Sequence, residues 1–507
     1  MYRMIYGDLT FGSKQSGRPP STNLSLLSTI AMGASSAAFP SNSTPKPAQI
    51  WWSNAFFFTY VHLAALVGVY FYPPAAISRA NLVLAFISWQ ISVFGITIGY
   101  HRLYSHRAFR ASVGVRVALA AMGSSGFQGS IKVRCLRHRL HHRFTDDPVH
   151  DPYAATRGLL FSHMGWIFFK PTYEKMELVD REDLDNDPVV RFQHKHYVPI
   201  ALSTGFIIPS LFGCLWGEPL PAFVWGGLVA RILIWHCTFL VNSLAHWDGL
   251  QPYSDEDTSR GTLILAILTG GEGSHNFQHT FPHDFRSGPS ILSWDPSKWI
   301  IKLLHSFGLV SGLRRARERD MNEAKSYMAH KDKFGVPPPE YVNSELDDDD
   351  EDFSSGSGFS SVDDSGTQSE EGEGDSSGYR SAGSVTSTSS TLRTRSSSSK
   401  SSQSGGKWQV WTRKDVEEYV GKKPGRCVVL IGKWVVDVTS YLGEHPAGAA
   451  ILRKYSYKSG SAISKEDQSP DATWAFEGGL NNHSRAAVKN MKELRVARYH
   501  RKEGNEE

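Results

Sequence analysis

Apolar residues gather into four long runs, all in the first half of the chain. "AFFFTYVHLAALVGVYFY" covers 55–72 and "LVLAFISWQISVFGITIGY" covers 82–100. "YVPIALSTGFIIPSLFGCLW" covers 197–216 and "AFVWGGLVARILIWHCTFLV" covers 222–241. Each is close to the roughly 20 residues that cross a bilayer core as a helix. They form two pairs, each with a short connection. Between the pairs, 101–196 opens with Arg102, Arg107, Arg110, Arg116, Lys132, Arg134, Arg137, Arg139 and Arg143. Positive charge beside a span marks the cytosolic side, so this segment and both termini are expected there, with the short connections in the lumen. Arg231 and His236 interrupt the fourth run. A charge at membrane depth faces a bundle interior or cavity, so the pair is read either as a polar tunnel lining or as a helix-to-helix hydrogen bond.

Outside these runs the pattern changes twice. Residues 1–48 are rich in Ser, Gly and Pro without amphipathic period and read as a disordered tail; no cleaved signal peptide is expected. Residues 336–406 hold "SELDDDDEDF" and "TSTSSTLRTRSSSSKSSQSGG" and read as a linker. Alternation returns within 407–500, where "CVVLIGKWVVDVTSYL" predicts two short strands around an "IGK" turn in a small domain.

Composition adds little to this division until the histidines are placed. A net charge of +4 over 507 residues says little by itself, and no nucleic-acid partner is expected. Four scattered cysteines without CxxC spacing exclude a disulfide framework or a thiolate zinc site. Eight of the 20 histidines, however, cluster beside the expected cytosolic ends of the spans. "HRLYSH" carries His101 and His106, and "HRLHH" carries His138, His141 and His142 on one helical face. "NSLAH" places Asn242 four before His246, and "GEGSHNFQH" adds His275 and His279. Eight imidazoles exceed what one tetrahedral zinc needs, and imidazole also suits iron. The single Glu-x-x-His, Glu272 to His275, falls short of the paired motifs and further glutamates of the carboxylate di-iron bundle, which is excluded. An all-histidine pair of irons is the economical reading. Gln278, between His275 and His279, is a poor metal ligand and leaves one coordination position in question.

These boxes resemble those of the membrane acyl-CoA delta-9 desaturases (stearoyl-CoA desaturases), in their fungal form. "GITIGYHRLYSHR", "QGSIK", "DPY", "GLLFSHMGW" and "RFQHKHY" carry the likeness further, over roughly 50–335. It implies an all-α membrane domain (49–335) of four transmembrane helices under a cytosolic helical cap. It implies removal of hydrogens from C9 and C10 of a saturated acyl-CoA by O2 and two electrons, giving a cis double bond and water. By position, His101, His106, His138, His141, His142, His246, His275 and His279 become ligands of two Fe ions, and Asn242 reaches one iron through water. Gln128 and Thr238 match the bend of the acyl tunnel. The family has histidine at Gln278 and tryptophan at Arg134. Arg137 stands just before the second box, where arginines can hold CoA phosphates.

Downstream, "WTRKDVEEYV", "GEHPAG" and "NNHS" resemble a cytochrome b5 domain, an α+β fold in which His445 and His483 would clamp haem b. Six-coordinate haem carries electrons and does not bind O2. Ala447 replaces a family glycine, and "YSYKSGSAISKEDQSP" lengthens the gap between the two histidines. Together the two likenesses imply an endoplasmic reticulum membrane enzyme fed by an NAD(P)H-dependent cytochrome b5 reductase. The rivals are a related di-iron hydroxylase or a desaturase of other regioselectivity, and a catalytically silent lipid-binding paralogue.

Overall fold

The computed structural model describes residues 49–338, 408–423, 425–442, 445, 449–457, 471–477, 483 and 485–500. The expected N-terminal tail, most of the linker, Ala447 and most of the lengthened loop lie outside the described residues.

Among the described residues, four helices are long and apolar enough to cross a membrane: Trp52–Phe71, Arg79–Ser105, Tyr197–Trp216 and Pro219–His246. The second and fourth run further than the apolar runs alone indicate, and the extensions bring His101 and His246 onto the helices themselves. Large apolar side chains such as Phe56, Leu63, Leu66, Phe86 and Leu211 are exposed on the outside of these helices, the arrangement lipid requires. The two short connections are tied together at one end. Glu218 accepts from Ser78 N at 3.0 Å and from the Asn81 amide, and Trp216 Nε1 donates to Asn81 Oδ1 at 3.1 Å.

Small residues set the close approaches. A Cβ at Gly95 would stand 2.2 Å from Gly123 N, so the second membrane helix and the Val113–Ser125 helix meet backbone to backbone. Neither Arg231 nor His236 lines a cavity wall described below. Arg231 donates to Ser88 O at 3.1 Å, and His236 bridges His62 at 3.1 Å and His163 at 3.0 Å. Of the two readings, the helix-to-helix hydrogen bond holds.

The basic segment is partly neutralised from within. Arg107 and Arg139 both grip Asp183, Arg116 pairs with Asp187 and Lys132 with Asp185. A buried cluster that includes Ile98, Tyr100, Leu136, Leu140 and Leu184 joins the cap to the second membrane helix. A two-strand ribbon, β1 (Arg110–Ala111) with β2 (Val310–Ser311), ties the start of the cap to its end. All four cysteines are free.

The C-terminal domain is α+β. Its strands β3 (Val410–Trp411), β4 (Val428–Ile431), β5 (Trp434–Asp437) and β6 (Arg495–Tyr499) lie in the order β3-β6-β5-β4. Strands β4 and β5 pair across a two-residue turn, with Ile431 opposite Trp434. Gly432 supplies the positive φ (56°) that such a turn demands. Alternation along β4 sends Val428 and Leu430 to one apolar cluster and Val429 and Ile431 to another.

Candidate metal centre

The eight histidines form two quartets, each with its ligand atoms within 4.8 Å of one another: His101, His106, His138 and His142; and His141, His246, His275 and His279. They are adjacent, the His142 and His279 rings lying 4.3 Å apart between centroids.

Local backbone geometry explains the sorting. Gly95–Ser105 is π-helical, and His106 N donates to His101 O at 3.1 Å. In an α-helix, residues five apart point to different sides; the wider turn brings His101 and His106 to one side. The Ile131–Arg143 helix sends His138 and His142, four apart, to the first quartet and His141 to the second. The His275–Thr280 helix does the reverse: His275 and His279 join the second quartet, and Gln278 turns toward the first. Gln278 Nε2 lies 2.7 Å from His106 Nε2 and 3.1 Å from His142 Nε2. Gln278 is thus the counterpart of His141. His138, His141 and His142 share one helix face, as expected, and that face serves two adjacent sites.

Carboxylates and a hydroxyl orient the rings. His141 Nδ1–H donates to Asp151 Oδ1 at 2.8 Å. His101 Nδ1 lies 3.3 Å from Glu272, and His279 Nδ1 lies 3.3 Å from Asp257. Thr258 Oγ1 donates to Asp146 at 2.7 Å and therefore accepts from His246 Nδ1 at 3.0 Å. Holding the proton on Nδ1 leaves the Nε2 lone pair for a metal. Burial, then the neighbouring imidazoles, keep His106, His138, His142, His275 and His279 well below the usual histidine pKa, in the neutral form that metals bind. For His141 burial opposes the charge, and Asp151 more than offsets it and raises the pKa. Burial would raise the pKa of Glu272, but Arg102 and His101 bring it down to about 2.

The set fits two ions. His101 Nε2, His279 Nε2 and Gln278 Oε1 are buried without a hydrogen-bond partner, an arrangement that cost disfavours unless something else satisfies them. The two glycines around Glu272 belong to the same construction. Gly271 has φ 124° and its Cβ would meet Asp295 Oδ1 at 2.3 Å; a Cβ on Gly273 would meet Ala266 Cβ at 2.3 Å. His283 joins neither quartet.

A cavity leads toward the first quartet. Phe57, Phe58, Phe127, Trp235 and Phe239 give it an apolar wall, with Gln128, Thr238 and Asn242 among the polar residues lining it. Gln128 Nε2 donates to Thr238 Oγ1 at 2.8 Å, so two residues separated widely in sequence form one cross-wall contact. Asn242, Thr238 and Arg134 also line a neighbouring cavity that reaches His101, His138 and Glu272. Arg134 and Arg137 converge on the Tyr153 hydroxyl at 3.1 and 2.6 Å, and Arg137 stacks over Trp166 at 4.5 Å.

In the C-terminal domain the His445 and His483 rings face each other with centroids 6.4 Å apart. A metal–nitrogen bond of about 2 Å on each side, plus the distance from nitrogen to ring centre, accounts for that separation. His483 Nδ1–H donates to Phe476 O at 2.9 Å, leaving Nε2 for an iron. The pair fits a haem.

Sequence reading found every histidine of both quartets but not the shell behind them. Asp151 and Glu272 lie inside the quoted words "DPY" and "GEG"; Asp146, Asp257 and Thr258 carried no such signal.

Residues 72–284 match the family "Fatty acid desaturase", and 412–500 match "Cytochrome b5-like Heme/Steroid binding domain". The chain is 31% identical to "Probable acyl-CoA desaturase" of Schizosaccharomyces pombe, over 89% of this chain and 79% of that one. It is 31% identical to "Acyl-CoA desaturase 1" of Saccharomyces cerevisiae, over 85% of this chain and 71% of that one. "Stearoyl-CoA desaturase 5" of Bos taurus is 34% identical over 55% of this chain and 84% of its own. With its histidine quartets, four apolar helices and C-terminal α+β domain, the chain belongs to the acyl-CoA desaturase family of oxidoreductases, in the form that carries a fused cytochrome b5-like domain.

Proposed function

We propose that this protein is a delta-9 acyl-CoA desaturase of the endoplasmic reticulum membrane, with its site and both termini cytosolic. A saturated acyl-CoA, O2, two electrons and two protons would give the cis-9 acyl-CoA and two waters. The observation that carries this reading is the cavity wall that runs from an apolar pocket past Asn242 to His101 and His138.

His101, His106, His138 and His142 would hold one iron, and Gln278 lines that position. His141, His246, His275 and His279 would hold the other, and Asn242 would reach one iron through water. His445 and His483 would hold haem b. When bound, the irons supply O2 activation and hydrogen removal, and the haem supplies one electron at a time.

The protein's own part is placement. A saturated chain offers no chemical handle, so the wall must fix which carbons stand beside the quartets. Phe57, Trp235 and Phe239 receive the chain, and the Gln128–Thr238 contact sets where it turns. Arg134 and Arg137 offer guanidinium groups to CoA phosphates. The aromatic wall also keeps water from the reacting carbons. A separate NAD(P)H-dependent reductase would reduce the haem. Domain limits of 49–335 and 407–500 follow from this division.

Expression in a yeast that requires unsaturated fatty acids tests the reading. Growth with a cis-9 product in its lipids supports it. A double bond elsewhere or a hydroxylated chain favours the related di-iron chemistries, and no growth despite good expression favours a silent paralogue.

A further inference from the structure

The helix Arg485–Glu493 begins two residues after His483. Arg485 pairs with Asp255, and its backbone N–H donates to Glu256 Oε1 at 2.6 Å. Its guanidinium also lies over the Tyr327 ring at 4.2 Å. One turn on, Lys489 pairs with Glu323. At the far end Arg317 donates to Asn490 Oδ1 at 2.7 Å, and both Arg317 and Arg319 meet Glu493. The contacts are polar and partly exposed: the Lys489 and Glu323 side chains retain 39% and 29% of their accessible surface. Such pairs orient partners and release them readily, as a redox encounter needs.

The acceptor side of this contact leads to the metal centre. The segment holding Asp255 and Glu256 continues directly into Asp257 and Thr258, which face His279 and His246. The helix Glu318–Phe334, which supplies Glu323 and Tyr327, packs through Met321 and Ala324 against Phe277 and Phe281, on and beside the helix of His275 and His279. The donor side begins beside a haem ligand, and the acceptor side ends on ligands of the second quartet.

We propose that this charged face is the electron-delivery dock of the chain's own haem domain, used in cis, and that it addresses the His141, His246, His275 and His279 site first. Each docking would pass one electron as ferrous haem becomes ferric, so two reductions of the haem serve one turnover. The inference rests on the electron-relay reading above.

Two measurements on the full-length holoprotein test it. A zero-length carbodiimide should join the Lys489 amine to the Glu323 carboxylate as an amide, seen by mass spectrometry as one cross-linked peptide pair that Lys489→Ala does not give; no such pair would overturn the dock. Second, the haem is reduced with stoichiometric dithionite and mixed with stearoyl-CoA and O2, and its reoxidation is followed optically. Lys489→Glu should slow the substrate-dependent phase by about tenfold, in the range that surface charge governs. Lys489→Glu with Glu323→Lys should restore the rate. Wild-type reoxidation in the single variant would overturn the dock and leave desaturation standing. Wild-type haem that acyl-CoA and O2 do not reoxidise would overturn the relay reading, and the dock with it.

Discussion

Asp151→Asn isolates the contribution of a residue that touches no metal position. Asp151 is 3% exposed and uses both carboxylate oxygens. One accepts from His141 Nδ1 at 2.8 Å and from Tyr153 N at 2.9 Å; the other accepts from Asp146 N at 3.0 Å. Asparagine matches the shape but brings an NH2 group, which must face at least one of these donors. A buried donor left without an acceptor costs about 1–3 kcal/mol. The lost charge also releases His141 from its fixed tautomer. Removing an outer partner of a metal-binding histidine costs about 10–100-fold in affinity, or about 1.4–2.7 kcal/mol. Chelator competition followed by iron analysis reads this directly. The variant should lose one of two irons at a chelator level that wild type withstands, and should unfold at lower temperature. Asp147→Asn is the control, since Asp147 serves His150, outside both quartets. Two irons held as tightly in Asp151→Asn as in wild type would refute the reasoning.

Four other outcomes follow. Gln278→His should keep or raise iron content and activity, because its side chain already points at His106 and His142; loss of both on that change would give the amide a role of its own. Thr238→Val removes the acceptor of Gln128 and should shift the ratio of palmitoyl to stearoyl product at unchanged iron content, with about 1 kcal/mol of stability lost. Gly95→Ala must push the second membrane helix off Gly123 and should lower thermal stability in detergent by about 1–3 kcal/mol; wild-type stability would deny the close contact. His445→Ala should abolish the haem Soret band and reductase-driven desaturation while both irons remain, and a retained band would exclude His445 as a ligand.

The sequence announces its spans because bilayer thickness demands apolar runs of fixed length, and these fall in the same order in the structure. The candidate ligand histidines are legible because close spacing marks them in three boxes, while His246 stands alone behind Asn242. Their division between two sites is not legible. It depends on a π-helical turn at Gly95–Ser105 and on one helix lying between two clusters, and both are set by packing. Asp151 lies only ten positions from His141, but Glu272 lies 171 positions from His101, so no local spacing links that pair. The basic segment after the second span reads as free charge in sequence, whereas Asp183, Asp185 and Asp187 occupy much of it in the fold. Gln278 shows the same limit at one residue. Sequence makes it a gap in a box; the structure places it opposite His141 in a reciprocal arrangement, aimed at the first quartet.

The most direct test is one turnover experiment on purified full-length protein with two irons and a reducible haem. It is supplied with NADH, cytochrome b5 reductase, O2 and stearoyl-CoA, and the product is located by mass spectrometry. The account predicts a single cis double bond between C9 and C10, formed with two electrons from NADH per molecule. Unchanged stearoyl-CoA from protein carrying both irons and the haem would contradict it.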